Sequence, residues 1–273
     1  VPTVFNFGLS GKKPSHPQLL DWLSVELREP SQVLSKKSRG WVPGKPVAPP
    51  WSMKHLHRLL VTSRTYRSAS SPDASNLDSD PDNVWLWRMP AQRMDAETVR
   101  DSVLAVAGTL DRTLGGPDLP TADGMSVARR SLYFHHSPEN RMTFLKLFDG
   151  ADPAECYHRH VSIIPHQALA LFNSELSVVQ SRKLTRQMSP ASSDTDTFIQ
   201  AAFEQVLSRQ PSEKERTICH GFLSTREAVY RSAGRPVPEN SPDADSPAAD
   251  PRLHARENLV HALLNHHDFV TIK

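Results

Sequence analysis

Apolar residues recur at three- and four-residue spacing through most of the chain, a period that predicts helices rather than strands. In "SHPQLLDWLSVELRE" the stripe Leu19, Leu20, Leu23 and Leu27 follows Ser15 as N-cap and Pro17 in the first turn. In "WSMKHLHRLLVTSRTYR" the residues Met53, Leu56, Leu59 and Leu60 follow Ser52 as N-cap. The clearest helix is "DAETVRDSVLAVAGTL", where Val99, Val103, Val106 and Leu110 keep to one face behind an Asp95 N-cap. Further helices are read in "NRMTFLKLFDG", "PHQALALFNSELSVVQSRKLTRQM", "DTFIQAAFEQVLSR", "PSEKERTICHGFLSTREAVY" and "ARENLVHALLN", with Ser212 and Glu215 at capping-box spacing. Pro165 suits a first turn, and "QALALF" offers Ala168, Leu169, Leu171 and Phe172 for burial.

Only "RRSLYFHHS" reads as strand, through the short run Leu132, Tyr133 and Phe134. The period breaks at 30–50, 68–83 and 232–251, stretches rich in proline, serine or acidic residues that read as loops, the last as disordered. The expected architecture is a mainly α, single-core irregular helical domain over 1–273, with long proline-rich loops and at most a short β element.

Composition changes this picture little. An apolar fraction of 38% suffices for one good core or two small ones, and 32 basic against 30 acidic residues leave no net field to draw nucleic acid or anionic lipid. Cys156 and Cys219 allow at most one internal disulfide. No apolar run is long enough to span a membrane. A start at Val1, with neither Met nor a leader pattern, reads as a piece of a longer protein.

Candidate chemistry concentrates in "RMPAQRMDAETVRD". Glu97 and Asp101 lie four apart, so they share a helix face, and paired carboxylates are what general acid–base chemistry needs. Arg93 and Arg100 stand among them, and a guanidinium within reach keeps a carboxylate ionised, which favours capping and ion pairing with Asp95 over catalysis. His135, His136, His158, His160 and His166 fall near Cys156, but no HExxH or CxxC spacing supports a metal, and a covalent haem needs CxxCH, which neither cysteine supplies. No GxSxG elbow or phosphate loop occurs. Lys54, Arg58, Arg64 and Arg67 flank Tyr66 in a pattern that could touch phosphates, although a solvated helix face explains it as well and nucleic acid is not the expected partner.

The order of the blocks "GKKPSHPQLLDWLSVEL", "WSMKHLHRLLVTSRTYR", "LWRMPAQRMDAETVRDSVLAVAGTLD", "GGP", "RRSLYFHHSPENRMTFLKLFDGADPAECYHRH", "PHQALALFNS" and "AFEQVLSRQPSEKE" resembles the planctomycete cytochrome-associated C-terminal domain of unknown function, PSD-one or DUF fifteen-fifty-three. The resemblance runs from about Gly8 to the C-terminal residues. It departs from the family pattern in the insertion 30–50. Its motif positions fall on Arg88, Arg93, Asp95, Glu97, Arg100, Asp101, Gly115, Gly116, Arg129, Arg130, Phe148, Asp149, Arg159, Pro165, Gln167, Ala168 and Asn173.

The resemblance implies a context without a reaction. Relatives look like exported, extracytoplasmic proteins in which a cytochrome-c-like module precedes this domain, so any haem belongs to that upstream module and no cofactor to this chain. Two readings follow. In the first, the domain docks to a cytochrome-c-like domain of the same parent protein or presents a substrate to it, with Arg93, Arg100, Arg129, Arg130, Arg159, Gln167 and Asn173 as binding or tying residues. In the second, it is a hydrolase or lyase acting on a polysaccharide, with Asp95, Glu97, Asp101 or Asp149 as acid–base groups. Carboxylates facing one another across an open cleft favour the second, and carboxylates each locked to an arginine favour the first. Within "HRHVSIIPHQALALFNSELS", the place to look is around Arg159 and Gln167, with Asp149 as the carboxylate.

Overall fold

The computed structural model describes residues 3, 6, 8–37, 40–155, 159, 162, 165–190, 194–233 and 246–272, with only the backbone of the strand residues 33–43. It is mainly α and divides into two compact units, the first ending at Ala91 and the second spanning Gln92–Ile272.

In the first unit, α1 (Pro17–Arg28) opens with Pro17 at its first position, but His16 rather than Ser15 is the cap residue. The strands β1 (Gln32–Lys37) and β2 (Gly40–Pro46) then pair antiparallel, from Gln32 opposite Pro46 to Lys37 opposite Gly40. The prolines of 30–50 therefore do not preclude regular structure. A two-stranded ribbon turns half of its N–H groups outward, so Pro43 and Pro46 cost it no ladder bond at those positions. Helix α2 (Met53–Thr62) starts at Ser52, whose side chain accepts from the His55 N–H. The expected loop 68–83 also contains a short helix, α3 (Ala74–Ser79), because Asp73 caps it by accepting from the Asn76 N–H at 3.1 Å.

The leucine stripe of α1 is not a core here. Leu19 and Leu20 are exposed, and the buried residues described before Ala91 are Glu26, Pro30, Asp80 and Asn83. Glu26 accepts from the Ser31 N–H and hydroxyl and is bonded by the His55 Nε2 at 2.8 Å. The Ser31 hydroxyl chiefly holds its carboxyl below the ordinary range, against the opposing effect of burial.

The second unit holds the hydrophobic core. In chain order it runs β3 (Gln92–Arg93), α4 (Ala96–Val106), α5 (Thr143–Leu147), α6 (Pro165–Phe172), α7 (Glu175–Met188), α8 (Thr195–Leu207), α9 (Glu213–Ser232), α10 (Pro251–Leu264) and β4 (Thr271–Ile272). Helix α10 packs against α7, α8 and α9, and α4 packs against α5 and α7. Val99 and Val103 of α4, Phe198 and Ile199 of α8, and Val260 of α10 are wholly buried. Strands β3 and β4 pair antiparallel, tying the two ends of the unit together.

Two expectations change here. "RRSLYFHHS" forms a 3₁₀ turn, Ser131–Tyr133, between two isolated β-bridges, Arg129 with Asp111 and Phe134 with Leu119, rather than a strand, because Asp101 draws in both the N–H and the hydroxyl of Ser131, leaving Leu132 exposed. In α6 it is Leu171 and Gln167 that are buried, whereas Ala168, Leu169 and Phe172 face outward. Of the acidic stretch 232–251, residues 234–245 lie outside the described residues. Its last part is anchored rather than loose: the Ala248 N–H bonds Glu257, and the Ser246 carbonyl accepts from Arg186.

Candidate functional site

A polar centre forms where β3, the end of α5 and the start of α6 meet. Helix α5 is closed by Asp149 in the left-handed conformation (φ 58°), followed by Gly150, whose N–H donates to the Leu145 carbonyl at 2.7 Å. A Cβ on residue 150 would stand 2.8 Å from that carbonyl oxygen, so the approach needs glycine. This turn aims Asp149 at Arg93, whose Nη2 donates to Oδ2 at 2.6 Å, with side chains only 17% and 15% exposed. Arg93 also donates to the carbonyls of Ser162 and Phe148 and to the Gln167 carboxamide oxygen. Ser162 donates to Asp149 through its N–H and hydroxyl, both at 2.8 Å, and the Gln167 Nε2 adds a bond at 3.2 Å. Burial alone would raise the Asp149 carboxyl, but the Ser162 bonds and Arg93 outweigh it and hold it below the ordinary range.

The face of α4 carries the other candidates, in separate arrangements. Glu97 and Asp101 line a surface cleft of about 570 Å³ with Arg112, Leu114, Arg130 and Leu132. Glu97 also borders a second cleft of about 370 Å³, with Asp95, His135, His136 and Arg159 on its walls. Arg159 Nη1 bonds Glu97 Oε2 at 2.8 Å. Asp101 is held by Ser131 and lies 3.4 Å from the Arg100 Nη1 and 3.8 Å from the Arg130 Nε.

Arg100 does not bridge the two carboxylates. It is wholly buried and donates to the carbonyls of Gly124, Val127 and Arg129, over the ring of Phe134. Burial lowers its pKa. Asp95 occupies the N-cap position, yet its carboxylate makes no capping bond and stays exposed at the cleft rim.

The remaining predicted residues are dispersed. Arg129 stacks on Tyr133 and donates to the Thr113 and Gly115 carbonyls, pinning the turn where Gly115 and Gly116 have φ of 77° and 96°. Asn173 is exposed between α6 and α7, away from both clefts, with its N–H on the Leu169 carbonyl. His135 pairs with Asp118 at 2.9 Å. Among the described residues no three His, Cys, Asp or Glu converge as metal ligands, while Cys156, His158 and His160 lie outside them. Cys219 is buried in α9, and burial pushes its thiol up to about 11. No local pattern marks Ser162, because its partner Asp149 is 13 residues upstream.

The arrangement ties loops to helices through its arginines and carboxylates. The family model PSD1, "Protein of unknown function (DUF1553)", matches residues 1–223. The chain belongs to this family. The match includes α4 and both clefts and stops short of α10. No curated protein and no solved structure matches the chain. Among the described residues no helix is long and apolar enough to cross a membrane.

Proposed function

We propose that this chain is a docking or substrate-presenting domain of a larger extracytoplasmic protein, with a cytochrome-c-like module of the same parent protein as its partner. One observation carries the reading: Glu97, Asp101 and Asp149 are each engaged by an arginine, at 2.8, 3.4 and 2.6 Å. A general acid needs a raised pKa, and Asp149 is shifted the other way. The exposed rim of Asp95, His135 and Arg130 supplies polar groups a partner can meet. The extracytoplasmic setting, the module and any haem in it rest on the resemblance alone.

Calorimetric titration of the chain with that module tests the reading. Saturable one-to-one binding is expected, weakened by Arg130→Glu, and no heat at high micromolar concentrations would sink it.

The rival reading, a hydrolase or lyase on a polysaccharide, draws on Glu97 and Asp101 sharing one cleft. It predicts release of new sugar ends from an acidic or neutral polysaccharide by the native chain but not by Glu97→Gln. Seeing that release would replace the docking reading.

A further inference from the structure

The first unit carries a groove of about 560 Å³, a size that suits a single organic molecule. Helix α1 contributes Leu19, Trp22 and Leu23 to its wall, α2 contributes Leu59 and Leu60, and Met89 closes the third side. Leu19, Trp22 and Leu60 remain 44%, 46% and 39% exposed, so an apolar lining faces solvent.

One cation stands in this lining. The buried side chain of Asn83 (φ 55°) clamps the backbone of Arg88, accepting from its N–H at 3.2 Å and donating to its carbonyl at 2.8 Å. The guanidinium itself stands over the Trp87 ring, 5.2 Å from its centroid. Among the described residues nothing accepts a hydrogen bond from it, and its Nε is buried without a partner. The sheltered arginines Arg93, Arg100 and Arg209 each hold several acceptors instead. A positioned guanidinium with unused donors, set in an apolar wall, is a place for an anionic head.

We propose that this groove binds an amphipathic carboxylate, a fatty-acid-like molecule whose tail lies along α1 and α2 and whose head meets Arg88. A plain hydrocarbon would leave the Arg88 donors unmet, and a polyanion finds only this one cation among the lining residues. The α2 stretch "WSMKHLHRLLVTSRTYRSASS" contains no carboxylate, Asp80 of the Arg88 loop is engaged by the Val84 and Trp85 N–H groups, and Glu26 of α1 is engaged by Ser31 and His55.

The test uses the full chain and three twelve-carbon probes below their micelle concentrations: dodecanoate, dodecanol and dodecylammonium. Trp22 fluorescence and calorimetry read binding. Dodecanoate is expected to bind saturably at one site, about tenfold or more tighter than dodecanol, with dodecylammonium weakest. Arg88→Gln should bring dodecanoate down to the dodecanol level and leave dodecanol unchanged. Equal binding of acid and alcohol, preference for the ammonium, or no saturable binding of any probe would each overturn the proposal. Should Arg88→Gln fail to fold, the three-probe ranking on the native chain still decides.

Discussion

At the scale of single residues, Arg100 shows how charge can sit inside a core. Its donors go to three backbone carbonyls of the segment 124–129, which has no strand or α-helix to satisfy them. Replacing it with methionine keeps much of the volume and leaves those carbonyls unmet. Arg100→Met is therefore expected to destabilise the fold by about 3–5 kcal/mol, measured by chemical denaturation. A loss below about 1 kcal/mol would mean that another group holds the segment. That Arg100 is charged and close to Asp101 was legible in the sequence. That it points inward was not, because its acceptors arrive from a loop up to 29 residues away.

At the scale of elements, the start of α9 combines a local signal with a distant one. Ser212 and Glu215 form the capping box that their spacing predicts. Arg209 adds a two-pronged grip on Glu215, at 2.9 and 2.6 Å, and reaches Asp268 at 2.8 Å. The Arg209 bonds chiefly hold the Glu215 carboxyl down to about 2, against an ordinary value of 4.5. Its contribution to stability is thus complete above about pH 4.5 and is lost as pH falls toward 2. Urea midpoints taken between pH 7 and pH 2.5 should fall across that window. In Glu215→Gln they should start lower and fall less steeply. An unchanged slope would show that the ion pair does not bear on folding.

The ribbon β1–β2 and the turn at Ser131 are the opposite case. Proline content hid the first, and a side chain of α4 imposed the second.

For the molecule as a whole, burial is uneven. The core residues come from α4 and the elements after it, whereas α1 and α2 bury no large apolar side chain completely. Hydrogen exchange should register this. Amides of Phe198–Phe203 and Leu259–Leu264 are expected to exchange about a hundredfold or more slowly than those of α1 and α2. Comparable rates in both sets would show that the first unit is stabilised by something other than its own packing. The buried face of α7 belongs to the same scale: Ser177, Ser181 and Thr185 are buried there, close to α10, and small hydroxyl residues let two backbones approach.

By itself the sequence determined the helical class, the starts of α2, α4, α6 and α9, the capping box and the clustering of arginines with carboxylates, but not the break at Ser174 that separates α6 from α7. Those features depend on residues within a turn or two of one another, and a period of 3.6 records them. Only the tertiary structure decided the pairings, taking Arg159 to Glu97, Arg93 to Asp149 and Gln167, and Arg100 into the interior. It also decided that Leu19 and Leu23 of the α1 stripe line an open groove rather than a core. The reason is the same in each case. A guanidinium or a leucine side chain is satisfied by whatever the fold brings to it, and those partners lie tens of residues away along the chain.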